Sequence, residues 1–219
     1  ALLIFIFVLW PIQARIRSDS NNPAPTLNAN IPVAAAFVFD TSLSMEYQQQ
    51  GKTRLDVARE IAGNYLQTLP RNSSIALTDT STLTPLRFSN DLSTTITRIG
   101  RLETHTVSQT LDEKLLATIE AHLAEINRIT AAGSTPANTP TDDYIREIYL
   151  FTDLSRGAWS ETRIQNLADK LQASPQIGLY LIDVSSETIT NTSLNNLKLS
   201  DSLVPVGSEV RLSLTLNST

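Results

Sequence analysis

The chain has 219 residues and no cysteine, which excludes disulfides, thiolate metal sites and cysteine nucleophiles. Its two histidines, His105 and His122, stand far apart with no carboxylate at ligand spacing, which argues against a histidine-rich metal site and a Ser-His-Asp triad. The seven glycines include no G-x-G pair, so the P-loop and the dinucleotide fingerprint are absent, and a net charge of −5 argues against a nucleic-acid partner.

Residues 1–12 read ALLIFIFVLWPI, an uncharged run followed by Arg15 and Arg17. A span needs ~20 apolar residues, so the run predicts the end of a membrane helix over residues 1–17, with Trp10 suited to the interfacial belt. Residues 18–32 (SDSNNPAPTLNANIP) are polar and punctuated by proline, and predict a linker.

A domain over residues 33–187 follows, in which strands alternate with helices. Val33–Phe39 is a continuous apolar run ending at Asp40 and predicts a buried strand. Beyond Thr53, the positions Ala58, Ile61, Ala62, Tyr65, Leu66 and Leu69 form one helical stripe, closed by Pro70. Ser74–Thr78 predicts a short strand, Pro85–Ser89 a further one, and Asp91–Leu102 a helix capped by Asn90 or Asp91. Leu111–Ile129 is the longest helical stretch, with His122 read as a partly buried residue of its apolar face. After a polar loop at residues 133–143, Ile148–Thr152 predicts a strand ending at Asp153. Ile164, Leu167, Ala168 and Leu171 mark a helix, and Ile177–Val184 the last strong strand. Residues 188–219 predict the start of a β-rich, sandwich-like module: Val210, Leu212, Leu214 and Leu216 alternate strictly after a turn at Pro205-Val206-Gly207.

This alternation predicts an α/β fold, a Rossmann-like doubly wound and mostly parallel sheet. Ligands bind such sheets beyond the carboxyl ends of the strands, where strand order reverses. With the first strand beside Ile148–Thr152, Asp40 and Asp153 meet at that crevice. Asp40, Ser42 and Ser44 sit at alternate positions and carry hard oxygen donors, suited to Mg²⁺ rather than zinc. Two carboxylates would balance a divalent charge. The competing use of these residues is helix capping.

The pattern resembles the von Willebrand factor A (VWA) domain, in particular the bacterial membrane-anchored aerotolerance (Bat) type. The resemblance covers about residues 33–184 and is carried by DTSLSM, by the TRLDVAREIAGNYL helix after it, and by LFTDLSRGAW. It implies the VWA fold, with a short antiparallel edge strand that Pro85–Ser89 would supply. It also implies a metal-ion-dependent adhesion site built from Asp40, Ser42, Ser44, a middle-loop threonine and Asp153. The usual register puts Gln109 at the threonine position, with Thr110 one residue later and Thr106 a further candidate. Thr110 is preferred because a one-residue slip in a loop costs little. The implied cofactor is Mg²⁺, or Mn²⁺ or Ca²⁺. The implied partner is a protein whose Asp or Glu carboxylate fills the metal's open position. Binding rather than catalysis is implied, by a membrane-anchored protein with its domain on the extracytoplasmic, periplasmic side. Two alternatives stand beside this reading. One is a metal-free scaffold that uses the fold for complex assembly. The other is a Mg²⁺-dependent phosphatase of the haloacid-dehalogenase type, disfavoured because Ser42 stands where its second Asp belongs.

Overall fold

The seven residues of strand β1, Val33–Phe39, are all buried, as a continuous apolar run requires when both faces of a sheet are covered. The computed structural model describes residues 31–132, 143–185, 192–200, 206–207 and 209–218. The expected membrane helix at 1–17, nearly all of the linker and nearly all of the 133–143 loop lie outside them. Among the described residues no helix is long and apolar enough to cross a membrane.

After β1 a two-residue antiparallel pair, β2 (Gln48–Gln49) and β3 (Lys52–Thr53), turns through Gln50 and Gly51, both at positive φ (53° and 80°). Such a turn matches the twist of a tight hairpin, and glycine adopts it without steric cost. The order then runs α1 (Arg54–Thr68), β4 (Ser74–Asp79), α2 (Leu92–Gly100), α3 (Leu111–Ala132), β5 (Ile145–Thr152), α4 (Ile164–Gln172) and β6 (Ile177–Asp183). The four long strands pair in parallel in the order β4-β1-β5-β6.

Side chains of β1 alternate between two cores. Ala35, Phe37 and Phe39 pack with Leu55, Ala58, Ala62 and Leu66 of α1 and Ile99 of α2. Ala36 and Val38 pack with Leu111, Leu115 and Ile119 of α3 and Leu167 of α4. Helices therefore cover both faces of a parallel sheet, which is the doubly wound α/β architecture that the resemblance implies. Helix α1 starts in a capping box: Thr53 Oγ1 accepts the Asp56 amide at 3.0 Å, and Asp56 accepts the Thr53 amide at 3.0 Å. It stops because Leu69, placed before Pro70, is extended.

Three local expectations shift. The buried positions of α1 are Arg54, Leu55, Ala58, Ala62 and Leu66, with Tyr65 and Leu69 packed against the core, while Ile61 is 38% exposed, so the expected stripe loses Ile61 and extends back to Arg54. Pro85–Ser89 is not a strand. Ser89 alone bridges antiparallel to Ile75, through hydrogen bonds of 2.7 and 2.9 Å, and Pro85 has no amide to extend that ladder. His122 is fully buried, its ring 4.7 Å from that of Phe88.

Contacts divide the chain after Ser185. Beyond it, β7 (Thr192–Leu199) and β8 (Leu212–Ser218) pair antiparallel, with a register irregularity between Asn195 and Lys198.

This stripe makes a testable distinction. Leu66→Ala empties a fully buried position and lowers stability in urea unfolding by about 2–5 kcal/mol. Ile61→Ala changes it by less than about 1 kcal/mol.

Candidate functional site

All four long strands run out into the same local chemistry. Asp40-Thr41-Ser42 follows β1, Asp79 closes β4 before Thr80-Ser81, Asp153-Leu154-Ser155 follows β5, and Asp183 closes β6 before Val184-Ser185. In each, Oδ1 of the aspartate accepts the amide of the serine two residues on, at 2.9, 2.8, 3.1 and 2.8 Å respectively. This Asx turn ends the strand and holds the carboxylate at the carboxyl edge of the sheet.

The four carboxylates differ in what else they meet. Asp79 is saturated by its own loop: it takes the Ser81 hydroxyl at 2.5 Å, and the Thr82 amide and hydroxyl at 2.9 and 2.6 Å. Burial pushes the Asp79 carboxyl up, but the hydroxyls and amides of Ser81 and Thr82 outweigh it and leave the group below the usual carboxylate range. Asp183 is exposed, on the outermost strand. Asp40 and Asp153 remain. They leave the two central strands, β1 and β5, where the chain moves out to β4 on one side and to β6 on the other. That is the switch point at which such sheets bind ligands.

Asp40 is fully buried and tied across the switch. Its amide donates to the Phe151 carbonyl at 2.9 Å, and the Thr152 hydroxyl donates to its Oδ2 at 2.9 Å. The next residue joins β1 to β4: the Thr41 amide donates to Thr80 Oγ1 at 3.0 Å, and the two hydroxyls lie 2.9 Å apart. The loop before α3 is pinned to both, by the His105 amide on the Thr41 carbonyl (2.7 Å) and the Gln109 amide on the Thr80 carbonyl (2.8 Å).

This lacing distinguishes the three candidates on the middle loop. Thr106 is exposed between the two pinning points, and Gln109 spends its amide on Thr80. Thr110 has its Oγ1 buried without a hydrogen-bond partner in the chain. Its carbonyl accepts the Lys114 amide at 3.1 Å, so it opens α3, yet its hydroxyl does not cap that helix. Ser42 likewise precedes the 3-10 turn Leu43–Glu46 without a side-chain cap. Its hydroxyl meets that of Ser44 at 3.1 Å. Capping therefore accounts for neither Thr110 nor Ser42. Met45 of the same turn is buried and anchors the loop, while Leu43 is exposed.

The sequence reading missed one residue at the centre of this crevice. Arg54, first residue of α1, is buried, and its Nη1 donates to Asp153 Oδ2 at 2.5 Å and to the Ser44 carbonyl at 3.1 Å. Its guanidinium carbon lies 4.6 Å from the centre of the Tyr47 ring, within cation–π range. The signal was present in the sequence, since Arg54 precedes Ala58 by four residues on the face that enters the core. Thr152 was also missed, although its hydroxyl holds Asp40. Beyond Asp153, Leu154 adopts φ 58°, a left-handed conformation that costs a leucine about 1–2 kcal/mol. The Leu154 amide donates to Thr152 Oγ1 at 3.1 Å, which helps hold this bend.

Among the described residues no group of three His, Cys, Asp or Glu side chains is gathered to hold a metal. A cation here would depend on hydroxyls as well as on Asp40 and Asp153. The donor set fits that role: two carboxylates, two serine hydroxyls and a buried, unpartnered threonine hydroxyl are all hard oxygens of the kind Mg²⁺ and Mn²⁺ take.

Two outcomes follow from this geometry. Arg54→Ala strands the Asp153 charge and lowers the thermal midpoint on the order of 10 °C, and combining it with Asp153→Ala costs less than the sum of the single changes. Acid titration followed by circular dichroism reads the strand-end and capping carboxylates. The Thr94 and Ser93 hydroxyls and the Thr94 amide hold Asp91 down to about 2, and Asp79 is lowered too. Their contribution is complete above about pH 4 and is lost as pH falls through the depressed values.

No protein-family model matches the chain, and no curated protein does. Among solved structures it is similar to the conserved hypothetical protein BatB of Bacteroides thetaiotaomicron, at 18% identity over 83% of this chain and 80% of that one, with a TM-score of 0.47. It is similar to an aerotolerance-related membrane protein of Bacteroides fragilis, at 16% identity over 83% and 81%, with a TM-score of 0.45. It is also similar to the manganese-loaded TRAP protein of Plasmodium vivax, at 16% identity over 72% and 60%, with a TM-score of 0.48.

Proposed function

We propose that the crevice between β1 and β5 recognises a protein partner through a divalent cation. In this reading Asp40, Ser42, Ser44 and Thr110 hold Mg²⁺ or Mn²⁺, and Asp153 completes the set directly or through water. The bound ion would supply an open coordination position for an oxygen from outside, here an Asp or Glu carboxylate of the partner. The observation that carries the proposal is the Thr110 hydroxyl, buried without a partner on a loop laced to the ends of both β1 and β4. Burying a hydroxyl unpaired costs about 1–3 kcal/mol, which a ligand oxygen acceptor or a cation would recover.

The surroundings suit a protein partner. Leu43, Leu83 and Val107 are 51%, 81% and 85% exposed, and each sits on a loop at the carboxyl edge of the sheet. Val107 rides between the two amides that pin its loop, so it is exposed on a fixed support. Apolar residues around a polar centre are what an interface needs to exclude water from one charged contact. Residues 1–17 would anchor the chain in a membrane and place the domain on the extracytoplasmic side. The apolar run ALLIFIFVLWPI supports the anchor, and the side rests on the family resemblance. We assign the crevice to binding rather than to turnover.

A second reading, a metal-free scaffold, is favoured by one observation: Asp153 already has a cation in Arg54. Thermal unfolding of the full chain in mild detergent separates the two. An ion at about 100 times its Kd stabilises the folded state by about 2.7 kcal/mol. Millimolar Mg²⁺ or Mn²⁺ added after EDTA therefore raises the midpoint of the parent by several degrees, and leaves Asp40→Ala unmoved. Equal midpoints in EDTA and in metal for the parent would set the metal site aside in favour of the scaffold.

A further inference from the structure

We infer that Arg54 is a built-in counter-cation of the crevice, which a divalent ion must draw away from Asp153 before it can bind tightly. The inference rests on the metal reading proposed above and adds a control that this chain supplies itself.

Three observations place Arg54 in that role. First, its Nη1 spans Asp153 Oδ2 and the Ser44 carbonyl, so it sits between the two segments that would hold the ion. Second, its position is unfavourable in every other respect. It is the first residue of α1, where the positive end of the helix dipole repels a cation, it is buried, and its Nε has no hydrogen-bond partner. The Asp153 carboxylate and the Tyr47 face are what offset this, so the guanidinium is held by the crevice rather than by its helix. Third, the charges close without a metal only in part. Asp40 and Asp153 carry two negative charges and Arg54 returns one, leaving the crevice short of a single positive charge. A divalent ion added with Arg54 in place overshoots to a net positive site, and like charges this close oppose each other. Metal binding is thereby weakened, and a partner's carboxylate, which would restore neutrality, strengthens it.

The test titrates Mn²⁺ into the full chain by calorimetry and compares the parent with Arg54→Gln. The variant binds about tenfold more tightly or better. Its thermal midpoint in EDTA falls, and Mn²⁺ restores more of it than in the parent. A folded Arg54→Gln with parental or weaker affinity overturns the inference while leaving the metal site standing. If neither protein takes up Mn²⁺, the metal reading fails and takes the inference with it. A second measurement needs no substitution. In ¹⁵N-labelled parent, Mg²⁺ that moves the Ser42 and Ser44 amide signals also moves the Arg54 Nε signal. An Arg54 signal that stays fixed while those amides shift overturns the inference.

Discussion

β1 lies in parallel register against β5, with Phe39 opposite Phe151, so the chain leaves β5 one residue beyond the level at which it leaves β1. This register sets Asp40 beside Thr152, the residue before Asp153, although more than a hundred residues separate them in the chain. The pairing is itself locked at its end: the Asp40 amide continues the ladder onto the Phe151 carbonyl, and the Thr152 hydroxyl reaches back to the Asp40 carboxylate. The rings of Phe39 and Phe151 stack at 4.6 Å in the same core cluster. A slip of one residue would send every side chain of β1 to the opposite face and part Asp40 from Thr152.

The carboxyl edge carries four aspartates in four Asx turns, and the environment decides which of them are available. Asp79 is surrounded by the hydroxyls and amides of its own loop, and Asp183 faces solvent on the outermost strand. Asp40 and Asp153 are buried at the ends of the two central strands, and each meets a group from another segment, Thr152 and Arg54 respectively. A repeated local motif gains chemical distinction through position in the sheet alone. The strained backbone at Leu154 falls beside one of these two and not beside the others. Strain of this kind persists only where the surrounding structure over-determines it.

Helix α1 connects the core to the crevice through a single stripe. Ala58, Ala62 and Leu66 seat the helix on Phe37 and its neighbours, and the same stripe, one turn earlier, delivers Arg54 to Asp153. Removing one partner of such a buried pair leaves an uncompensated charge, and the penalty exceeds what the pair contributes as a whole. Any change in charge at Asp153 would be felt at the start of α1 and, through the Arg54 bond to the Ser44 carbonyl, in the DTSLSM loop. The loop residues that would receive a cation and the helix that would have to give way are mechanically the same unit.

Sequence alone determined the alternation of buried strands and amphipathic helices, because continuous apolar runs and helical stripes are local properties. It also picked out Asp40, Ser42, Ser44 and Asp153, which stand directly after apolar runs where a parallel sheet must turn. Of the α1 stripe, Ala58, Ala62 and Leu66 are buried and Tyr65 and Leu69 pack on the core; Ile61 alone is exposed, and only packing shows that Arg54 joins the buried face. The sequence preferred Thr110 over Thr106 and Gln109 only because a one-residue slip costs little, since all three lie in one polar loop. Amides pinned to Thr41 and Thr80 decide which hydroxyl is buried, and those bonds join residues tens of positions apart. Pro85–Ser89 read as a strand by composition, but a strand exists only through its ladder, and one bridge to Ile75 is what the fold provides. Residue types and their spacing are written along the chain. Which charges share a crevice, and which already hold a partner there, is set by strand order and register, and only the tertiary structure decides that.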